Sequence, residues 1–554
     1  MLRQFILLMV AILSWHANAQ PVLERASRGV VSTAHPLATM AAEKMYALGG
    51  NSVDAAVAAS FVLSVVEPTM SGLGGRSLAL VRTPDGEFHG YNGMTEIPNS
   101  FSKLEGMPSF GYSTIATPGT VAMLGDLHKR HGSLEFSALL QPAIQLSKDG
   151  FVLLQGEASR QASVVEKIKQ NRGMMELFLQ KDGDTTAPGE KLKQPILAKT
   201  LNRIALKGYQ DFYEGDIGTQ IAIDMAKNGG YVTSKDLIDY RILPARHITI
   251  DYRGYGIHTI AAPGGGGLVA KALMILKVYD LDMMADHEWA VIVSQAIALS
   301  VESMQDDYYE EDLIGLLDQS WAVEAAKRIR KSASNPHIKN VKTDLRTADT
   351  TDWIGYAGAH TSHLAAEDCS GLSISMTQTI GPIFGAKVAT SELGFVYAAT
   401  MGGYLRTGPQ EAGDRPRTSI APVIVTKNNK VVMSLGAAGG IRIPSAIVQI
   451  ISRFIDQKHT LDDALALPRV HPSLQIGAND RRVVRLKSFD AEMSNPSWTA
   501  DALRHWRSQG FKVTEVPKAG LFGRVNLVAK KESLLMGESD PDWEGKASID
   551  TICP

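Results

Sequence analysis

Two threonine clusters are candidates for a nucleophile in this chain. One is Thr350-Thr351 in the polar stretch TADTTDW, and the other is Thr361 in GAHTSHLAAEDCSGLSISMTQ. Thr361 follows a weakly periodic segment that is typical of a surface linker, and it begins a run that alternates as a strand does. Cleavage of the chain before Thr361 would free an α-amine, which can act as the base for the hydroxyl of the same residue.

A free α-amine suits this task because its pKa is roughly 7.7–8, so a useful fraction is unprotonated near neutral pH. A lysine would need a large depression of its pKa to do the same. The β-methyl group of threonine also restricts χ1 and so fixes the direction of the hydroxyl. A threonine at the start of a strand is common, however, so this pattern alone does not establish a nucleophile.

Motifs for other kinds of chemistry are absent from the sequence. It contains no Cys-x-x-Cys, His-Glu-x-x-His, phosphate-loop or Gly-x-Ser-x-Gly pattern, and its 14 histidines are scattered. We therefore expect neither a metal nor an organic cofactor. The chain of 554 residues has 44% hydrophobic residues and a net charge of -2, which indicates a globular protein without the basic excess of nucleic-acid binders. The expected partner is a small-molecule or peptide amide.

Residues 1–19 have the pattern of a secretory signal peptide. A positive start is followed by the apolar stretch QFILLMVAILSW, which is too short for a stable membrane span, and by the small-x-small site Ala17-Asn18-Ala19. We expect a periplasmic or secreted protein without a membrane span. In that oxidising setting Cys369 and Cys553 could pair, but two cysteines do not define a disulfide framework, and the pairing stays open at this point.

The elements around these residues alternate between helices and strands. The run ATMAAEKMYALGGNSVDAAVAASFVLSVV predicts two helices, separated at Gly49-Gly50, with Asn51 or Ser52 capping the second. The stretch SLALVRTPDGEFHGYN predicts a hairpin. Beyond residue 360 the stretches HLAAEDCSGLSISMTQ and APVIVTKNNKVVMSLG predict two more hairpins, so we expect an organisational boundary near that residue.

Long stretches of the chain resemble the γ-glutamyltransferase (glutathione hydrolase) family of N-terminal nucleophile hydrolases, in the family's order. They include GVVSTAHPLATMAAEKMYALGGNSVDAAVAASFVLSVVEPTMSGLGG, TPGTVAMLGDLHKRHG, HTSHLAAEDCSG and SLGAAGGIRIPSAIVQIISRFID. The resemblance implies an α+β fold, a four-layer αββα sandwich. It also implies a proenzyme that cuts itself into a large subunit, residues 20–360, and a small catalytic subunit, residues 361–554, which form one intertwined fold.

The resemblance also implies the catalytic residues. The family's nucleophile is the first threonine of a Thr-Thr-His triplet followed by strand, turn and strand, and Thr361 in Thr-Ser-His has that context whereas Thr350-Thr351 does not. The cleaved bond is then that between His360 and Thr361. Thr379 matches a threonine that supports the nucleophile by hydrogen bonding. Gly439 and Gly440 match the pair whose backbone N–H groups form the oxyanion hole, where one donor is worth about 2.7–4 kcal/mol.

The substrate pocket departs from the family at the end that holds the glutamyl α-carboxylate. The family uses an arginine in an Asp-x-Arg-Glu-x-x-Pro segment, and this chain has YNGMTEIP, with Met94 at the arginine position. A charge-assisted fork is lost there. Thr418 and Ser419 keep the character of the family's Ser-Ser pair, which touches the carboxylate, but that pair alone cannot replace an arginine.

The end that holds the α-amino group departs as well. Where the family has an asparagine, a glutamine and an aspartate, this chain offers Gly381, Thr400 and Gly403. We interpret Arg76, in SGLGGRS, as a surface or salt-bridged residue, and a relocated positive charge for the pocket is the alternative. Unmatched charges carry desolvation penalties of several kcal/mol, so we expect the reaction with glutathione to be weak or absent.

Three functions follow from this pattern. The first is a secreted amidohydrolase that hydrolyses an amide other than glutathione, as in the acylase-like branches of the family, whose segment TQTI-x-x-x-FG is matched by residues 377–385. The second is an authentic γ-glutamyltransferase or glutathione hydrolase with a rearranged pocket. The third is a non-catalytic binding homologue, and retention of the residues for the chemistry argues against it.

The two threonine clusters predict different products of self-cleavage. We expect N-terminal sequencing of the smaller fragment to begin Thr-Ser-His, because only Thr361 precedes the strand that would hold a nucleophile in place. A fragment that begins at Thr350 or Thr351 would refute this choice of nucleophile.

Overall fold

The computed structural model describes residues 29–101, 108–304, 317–334, 360–402, 411–476, 482–494, 496–516 and 522–554. The predicted signal peptide, residues 1–19, and the predicted substrate-binding residue Gly403 lie outside these ranges. Within them, no helix has both the length and the apolar character that a membrane span requires.

Strands and helices alternate through most of the chain. The strands are β1 (Gly29–Thr33), β2 (Arg76–Arg82), β3 (Phe88–Gly93), β4 (Phe151–Val152), β5 (Lys191–Leu192), β6 (Leu243–Pro244), β7 (His247–Tyr252), β8 (Tyr255–Ile260), β9 (Ser362–Asp368), β10 (Ser373–Thr379), β11 (Val423–Lys427), β12 (Lys430–Ala438), β13 (Val470–Ile476), β14 (Arg482–Glu492), β15 (Lys512–Val516), β16 (Arg524–Lys531), β17 (Leu534–Ser539), β18 (Lys546–Ala547) and β19 (Thr551–Ile552). The helices are α1 (Pro36–Ala47), α2 (Ser52–Val66), α3 (Thr120–His131), α4 (Phe136–Asp149), α5 (Gln155–Ala162), α6 (Val165–Ile168), α7 (Arg172–Phe178), α8 (Pro195–Lys207), α9 (Asp211–Glu214), α10 (Asp216–Asn228), α11 (Ser234–Asp239), α12 (Gly266–Leu276), α13 (Asp286–Ser303), α14 (Gln319–Ser334), α15 (Ile443–Ile455), α16 (Leu461–Ala466) and α17 (Ala500–Ser508).

Two seven-stranded sheets form the centre of the described structure. The first has the strand order β18-β1-β9-β10-β2-β3-β6 and the second the order β19-β17-β16-β12-β11-β8-β7. Every pairing within both sheets is antiparallel. A three-stranded sheet, β13-β14-β15, and the pair β4-β5 lie outside these two layers.

Side chains that alternate along β9 and β10 show what covers each face of the first sheet. One face packs against helices and the other against the second sheet. Leu364, Ile374 and Met376 join the apolar core that contains α1 and α2. The residues between them face the second sheet, where Ser373 is hydrogen-bonded to Ser434 of β12 at 2.6 Å. Because successive side chains of a strand point to opposite faces, both faces of these strands are covered.

The layer order is helix, sheet, sheet, helix, which confirms the expected αββα sandwich. On the outside of the first sheet, all residues of α2 are buried. On the outside of the second sheet, α12, α13 and α15 share an apolar core with β11, β12 and β16. Each sheet therefore packs a helical layer on one face and the other sheet on its second face.

The two predicted N-terminal helices are confirmed, and local hydrogen bonds explain the break between them. After α1, Gly49 adopts a φ of +90°, a conformation that favours glycine. The Asn51 side chain accepts hydrogen bonds from the N–H groups of Val53 and Asp54, and Asp54 accepts one from the N–H of Asn51. This capping box starts α2 at Ser52.

The predicted hairpins are also confirmed, as β2–β3, β9–β10 and β11–β12. A disulfide joins Cys369, which follows β9, to Cys553, which follows β19. The pairing that the sequence left open is therefore formed in the structure. It fastens the turn of the β9–β10 hairpin to the C-terminal end of the chain.

Candidate active site

Strand register brings Thr361, Thr379 and Arg76 together at one end of three neighbouring strands of the first sheet. In the pairing of β9 with β10, Ser362 lies opposite Gln378, so the next pair along is Thr361 with Thr379. On the other side of β10, Thr379 lies opposite Arg76 of β2. Directly opposite residues share a face, so all three side chains point into the space between the two sheets.

The hydroxyl groups of Thr361 and Thr379 contact each other and the predicted cleavage bond. Thr361 Oγ1 donates to Thr379 Oγ1 at 3.4 Å, and Thr379 Oγ1 donates to the carbonyl oxygen of His360 at 2.5 Å. These three residues are all buried, with exposed fractions of 3–4%. The peptide bond between His360 and Thr361 thus has a hydroxyl donor on its carbonyl and the candidate nucleophile next to it.

Gly381 completes the hydrogen bonding of Thr379. Its N–H donates to Thr379 Oγ1 at 3.0 Å, and its φ of +92° is one that residues with a side chain rarely adopt. A hydroxyl has one donor and two acceptor sites, and Thr379 uses all of them here. The direction of its proton, toward the carbonyl of His360, is therefore fixed. The structure brings Gly381 to the candidate nucleophile through its backbone, whereas the sequence placed it in the substrate pocket.

His363 lies two residues after Thr361 in the chain, and burial makes it a weak base. Desolvation lowers its pKa to about 3. Its Nδ1 lies 2.8 Å from Thr377 Oγ1, and its ring packs against Gly436, where a Cβ would lie 2.3 Å from the ring. The ring is neutral near pH 7 and is fixed between the sheets, so a free α-amine at Thr361 is much better matched to accept a proton.

The predicted oxyanion pair lies at the end of β12 that points toward Thr361. The contacts between Ser373 and Ser434, and between Ser375 and Leu435, show that the facing strands β10 and β12 run in the same direction. The C-terminal end of β12 therefore lies on the same side as Thr379 and Thr361. Gly439, with a φ of +144°, and Gly440, with a φ of +56°, follow β12 and precede α15. A Cβ on Gly439 would lie 2.7 Å from Gly523 Cα, so the backbone geometry here requires glycine.

A buried glutamate lies behind the candidate nucleophile, on the helical side of the sheet. Ser362 Oγ donates to Glu67 Oε2 at 2.5 Å and contacts Ser71 Oγ at 3.2 Å. Glu67 caps the C-terminus of α2, and Arg160 Nη2 lies 3.8 Å from its Oε1. Because Ser362 is the neighbour of Thr361, this contact fixes the start of β9. It does so from the helical side of the sheet, whereas the Thr361 side chain points to the other side.

Burial dominates the electrostatics of Glu67. Desolvation raises the pKa of its carboxyl group to about 7, although Arg160, Arg524 and Ser362 favour the charged form. Both arginines stack on one aromatic ring, because the guanidinium carbons of Arg160 and Arg524 lie 4.7 and 3.5 Å from the ring centroid of Trp543. The two cations share a buried pocket with the Glu67 carboxyl group, whose pKa of about 7 lies close to neutral pH.

Met94 is part of an apolar cluster between the two sheets. The cluster includes Leu78, Ile260 and Ile420, and Met94 has no exposed surface. Thr418 and Ser419 immediately precede Ile420; the Thr418 N–H donates to the carbonyl of Pro263 at 2.8 Å, and both residues are half-buried. The structure thus brings Met94 close to the Thr418-Ser419 segment, but with an aliphatic side chain that cannot pair with a carboxylate.

Arg76 was expected to be a surface or salt-bridged residue, and the surface part of that expectation was wrong. Its side chain is 1% exposed, and its Nη1 donates to the carbonyl of Ala399 at 3.0 Å and to Thr400 Oγ1 at 3.1 Å. Thr400 Oγ1 also lies 2.9 Å from Thr95 Oγ1. The cation is buried because β2 begins between β10 and β3, where both faces of the sheet are covered.

Sequence reasoning missed Glu67, Arg160, Arg524 and Trp543. The signal for Glu67 was a single charged residue at the end of the apolar run FVLSVV, but nothing in the sequence indicates that it contacts Ser362. For metals, no group of three or more His, Cys, Asp or Glu side chains in the described ranges is arranged to bind an ion.

Comparisons with known proteins show what this chain is similar to. The family model described as Gamma-glutamyltranspeptidase matches residues 38–549. Among curated relatives, a glutathione hydrolase proenzyme from Pseudomonas sp. (strain A14) is 28% identical and spans 83% of this chain and 84% of that protein. The Acylase ACY 1 proenzyme from Pseudomonas sp. (strain V22) is 29% identical and spans 91% of this chain and 90% of that protein.

A solved structure covers nearly the whole fold. The crystal structure of cephalosporin acylase from Bacillus halodurans superposes with a TM-score of 0.81 at 26% sequence identity, over 94% of this chain and 96% of that one. This chain is thus similar to both acylases and glutathione hydrolases, and the arrangement of two facing sheets is common to it and the acylase.

The environment of Glu67 predicts a pH-dependent stability. The group is protonated in folded and unfolded chains at low pH, and between about pH 4.5 and 7 the unfolded chain releases a proton that the folded chain keeps. Stability therefore falls as pH rises through this window, by up to about 3 kcal/mol. We expect Glu67→Gln to remove this loss. The melting temperature of the variant minus that of the wild type should therefore increase as the pH is raised from 4.5 to 7.

The matched control is Glu288→Gln, a change of an exposed glutamate in the first turn of α13. We expect this variant not to show the gain in melting temperature over the wild type between pH 4.5 and 7, because the replaced side chain is exposed. A difference between Glu67→Gln and the wild type that does not change from pH 4.5 to 7 would contradict the raised pKa of Glu67.

Proposed function

This chain belongs to the gamma-glutamyltranspeptidase family, and we propose that it is a secreted amidohydrolase that cleaves itself before Thr361 and uses that residue as its nucleophile. The large subunit then comprises residues 20–360 and the small subunit residues 361–554. The relatives named proenzymes support a processed precursor. Export to the periplasm or medium is proposed from the signal-peptide pattern of residues 1–19.

The arrangement of two hydroxyl groups at the cleavage bond is the observation that carries the proposal. Thr379 accepts a hydrogen bond from Thr361 and donates one to the carbonyl of His360, all in a buried site. A donor on that carbonyl makes its carbon more electrophilic and stabilises the oxyanion that develops during attack. The attacking hydroxyl of Thr361 is held in place by its own hydrogen bond to Thr379.

Self-cleavage then proceeds through an ester. Thr361 Oγ1 attacks the carbonyl carbon of His360, and the C–N bond breaks as the nitrogen of Thr361 takes up a proton. The product is an ester between the carboxyl group of His360 and the hydroxyl of Thr361, with a free α-amine. Water hydrolyses this ester, which releases the carboxylate of His360 and restores the threonine hydroxyl.

The mature enzyme repeats this chemistry on a substrate amide. The α-amine of Thr361 takes the hydroxyl proton as Oγ1 attacks the substrate carbonyl, and the N–H groups of Gly439 and Gly440 bind the oxyanion. The ammonium group gives its proton to the leaving amine. Water, activated by the same amine, hydrolyses the acyl ester and releases a carboxylic acid.

The substrate is proposed to be an amide other than glutathione. Met94 lies in an apolar cluster where a glutamyl carboxylate would need a cation, and Gly381 has no side chain for an α-amino group. Similarity to an acylase supports this choice. A glutathione hydrolase with a rearranged pocket is the second candidate, favoured by the half-buried Thr418-Ser419 pair beside Met94.

Substitution of the proposed nucleophile tests the function. We expect the wild type to separate into two fragments on a denaturing gel and to hydrolyse simple acyl anilides. Thr361→Ala should stay in one piece and be inactive, because it lacks the attacking oxygen. We also expect the γ-glutamyl anilide to react about 100-fold more slowly than the best acyl anilide, as an unpaired buried charge costs several kcal/mol.

The control is Thr350→Ala, a change in the other threonine cluster, which should be processed and active like the wild type. A wild-type chain that remains intact, or a Thr361→Ala variant that is still cut and active, would overturn the proposal. Preference for the γ-glutamyl anilide would instead favour the second candidate.

A further inference from the structure

Self-cleavage would turn Thr361 from a residue inside the chain into a chain end. Strand β9 begins at Ser362, its register with β10 runs as far as Ser362, and its register with β1 runs as far as Leu364. Thr361 therefore lies just beyond the last position that the strand register pairs. Chain termini are poorly ordered unless contacts tie them down, so the nucleophile needs an anchor next to it once the bond to His360 is cut.

The contact between Thr361 and Thr379 is too long to serve as this anchor alone. Their hydroxyl oxygens are 3.4 Å apart, whereas hydroxyl groups in a typical hydrogen bond are about 2.7–2.8 Å apart. Thr379 also donates to the carbonyl of His360, and cleavage separates that carbonyl from Thr361. A firmer anchor has to come from another part of the fold.

The side chain of Ser362 makes a shorter contact on the other face of β9. Its Oγ donates to Glu67 Oε2 at 2.5 Å and lies 3.2 Å from Ser71 Oγ. Glu67 and Ser362 are each 1% exposed, so water does not compete for this bond. A hydrogen bond to a carboxylate is stronger than one between neutral groups, and the buried setting strengthens it further.

Glu67 begins a loop, residues 67–71, that contacts the ends of both strands. The carbonyl of Met70 in this loop accepts a hydrogen bond from the N–H of Ile380 at 3.1 Å, and Ile380 directly follows Thr379. The loop thus holds the start of β9 through Glu67 and the end of β10 through Met70. Both hydroxyl groups of the proposed chemistry are positioned from one place.

An ion pair on α5 fixes this loop from behind. Thr69 Oγ1 donates to Glu157 Oε2 and accepts from Arg160 Nε at 2.9 Å, and the Thr69 N–H donates to Glu157 Oε1 at 3.2 Å. Arg160 Nη2 lies 2.8 Å from Glu157 Oε2 and 3.8 Å from Glu67 Oε1. All of these residues are buried, so the loop cannot shift without breaking buried charged contacts. Glu67 is therefore held in place independently of Ser362.

We propose that Glu67 is a positioning residue that anchors the N-terminus created by self-cleavage, and that it acts on Thr361 through the hydroxyl of Ser362. In the precursor the chain on both sides holds Thr361, so cleavage itself depends little on Glu67. In the mature enzyme the anchor keeps the Thr361 hydroxyl and α-amine aligned with the substrate. This inference rests on the proposed function, since it concerns the terminus that the proposed cleavage creates.

Two substitutions of similar size separate the hydrogen bond of Glu67 from its packing. Glu67→Gln keeps an oxygen that can accept from Ser362, whereas Glu67→Met does not. We expect Glu67→Met to be cut as the wild type is and to lose about 10- to 100-fold in kcat for an acyl anilide with little change in KM. The reason is that a misplacement of about 1 Å can cost about 100-fold. Glu67→Gln should recover most of this loss.

The same bond can be removed from its other side. Ser362→Ala lacks the hydroxyl and should lose kcat as Glu67→Met does, whereas Ser362→Thr keeps a hydroxyl and should lose much less. The double variant Glu67→Met/Ser362→Ala should be about as slow as either single variant, because both changes remove one interaction. Assays at pH 8 compare these variants with a wild type whose Glu67 is mostly charged, since its pKa is about 7.

Leu503→Ala is the control for a loss of stability. Leu503 is a buried residue of α17 in the apolar core that covers the second sheet, so its truncation lowers the melting temperature without changing the loop that carries Glu67. We expect its cleaved fraction to keep the wild-type kcat.

Three results would overturn the inference. One is a cleaved Glu67→Met or Ser362→Ala enzyme with the wild-type kcat. The second is a Glu67→Gln enzyme as slow as Glu67→Met, since the acceptor oxygen would then have no effect. The third is that Glu67→Met and Ser362→Ala both fold but stay uncut, because the proposed role begins after cleavage. Failure of the proposed function looks different, because the wild-type chain would then remain uncut or hydrolyse no anilide.

Discussion

The antiparallel register of β9, β10 and β2 is the constraint on which the rest of this site depends. It sets Thr379 between Thr361 and Arg76, and it points all three side chains into the space between the sheets. A shift of one residue in either pairing would turn these side chains toward the helices instead. The hydroxyl contacts at the His360 carbonyl are possible only in this register.

The space between the two sheets is partly polar, and this explains how the register is maintained. The inward-facing residues of β10 are hydroxyl residues, and Ser373 and Ser375 bond to β12. Thr377 bonds to His363 of the neighbouring strand. Buried hydroxyl groups cost free energy unless they are paired, so each of these contacts favours one alignment over its neighbours. On the helical side, Ser362 and Glu67 fix the same strand.

Local patterns predicted much of the fold from the sequence alone. The capping box at Asn51 and the alternating stretches on either side of short turns identified two helices and three hairpins. The layer order and most candidate site residues came from the resemblance of long stretches to a known family. Thr361 in particular could not be identified as a nucleophile from spacing alone. Its proposed role depends on a hydrogen bond to Thr379, which lies on another strand.

Contacts between distant parts of the chain were the part that the sequence did not reveal. Arg76 was expected at the surface or in a salt bridge, since one arginine among glycines carries no sign of burial. The position of β2 between β10 and β3 explains why it is buried. Glu67 contacts Ser362 from 295 positions away in the chain. The pairing of Cys369 with Cys553 likewise depends on where the C-terminal strand returns to the sheet.

In the proposed mechanism one residue supplies both the attacking oxygen and the base, and this can be checked by trapping the acyl intermediate. Mature enzyme is mixed with an excess of a hydrolysable acyl anilide, quenched in acid within one turnover and digested for mass spectrometry. We expect the acyl mass on the hydroxyl of Thr361, in a peptide that begins at that residue and has a free α-amine. An acyl group on any other residue, or turnover by a chain that is still joined at His360, would contradict it.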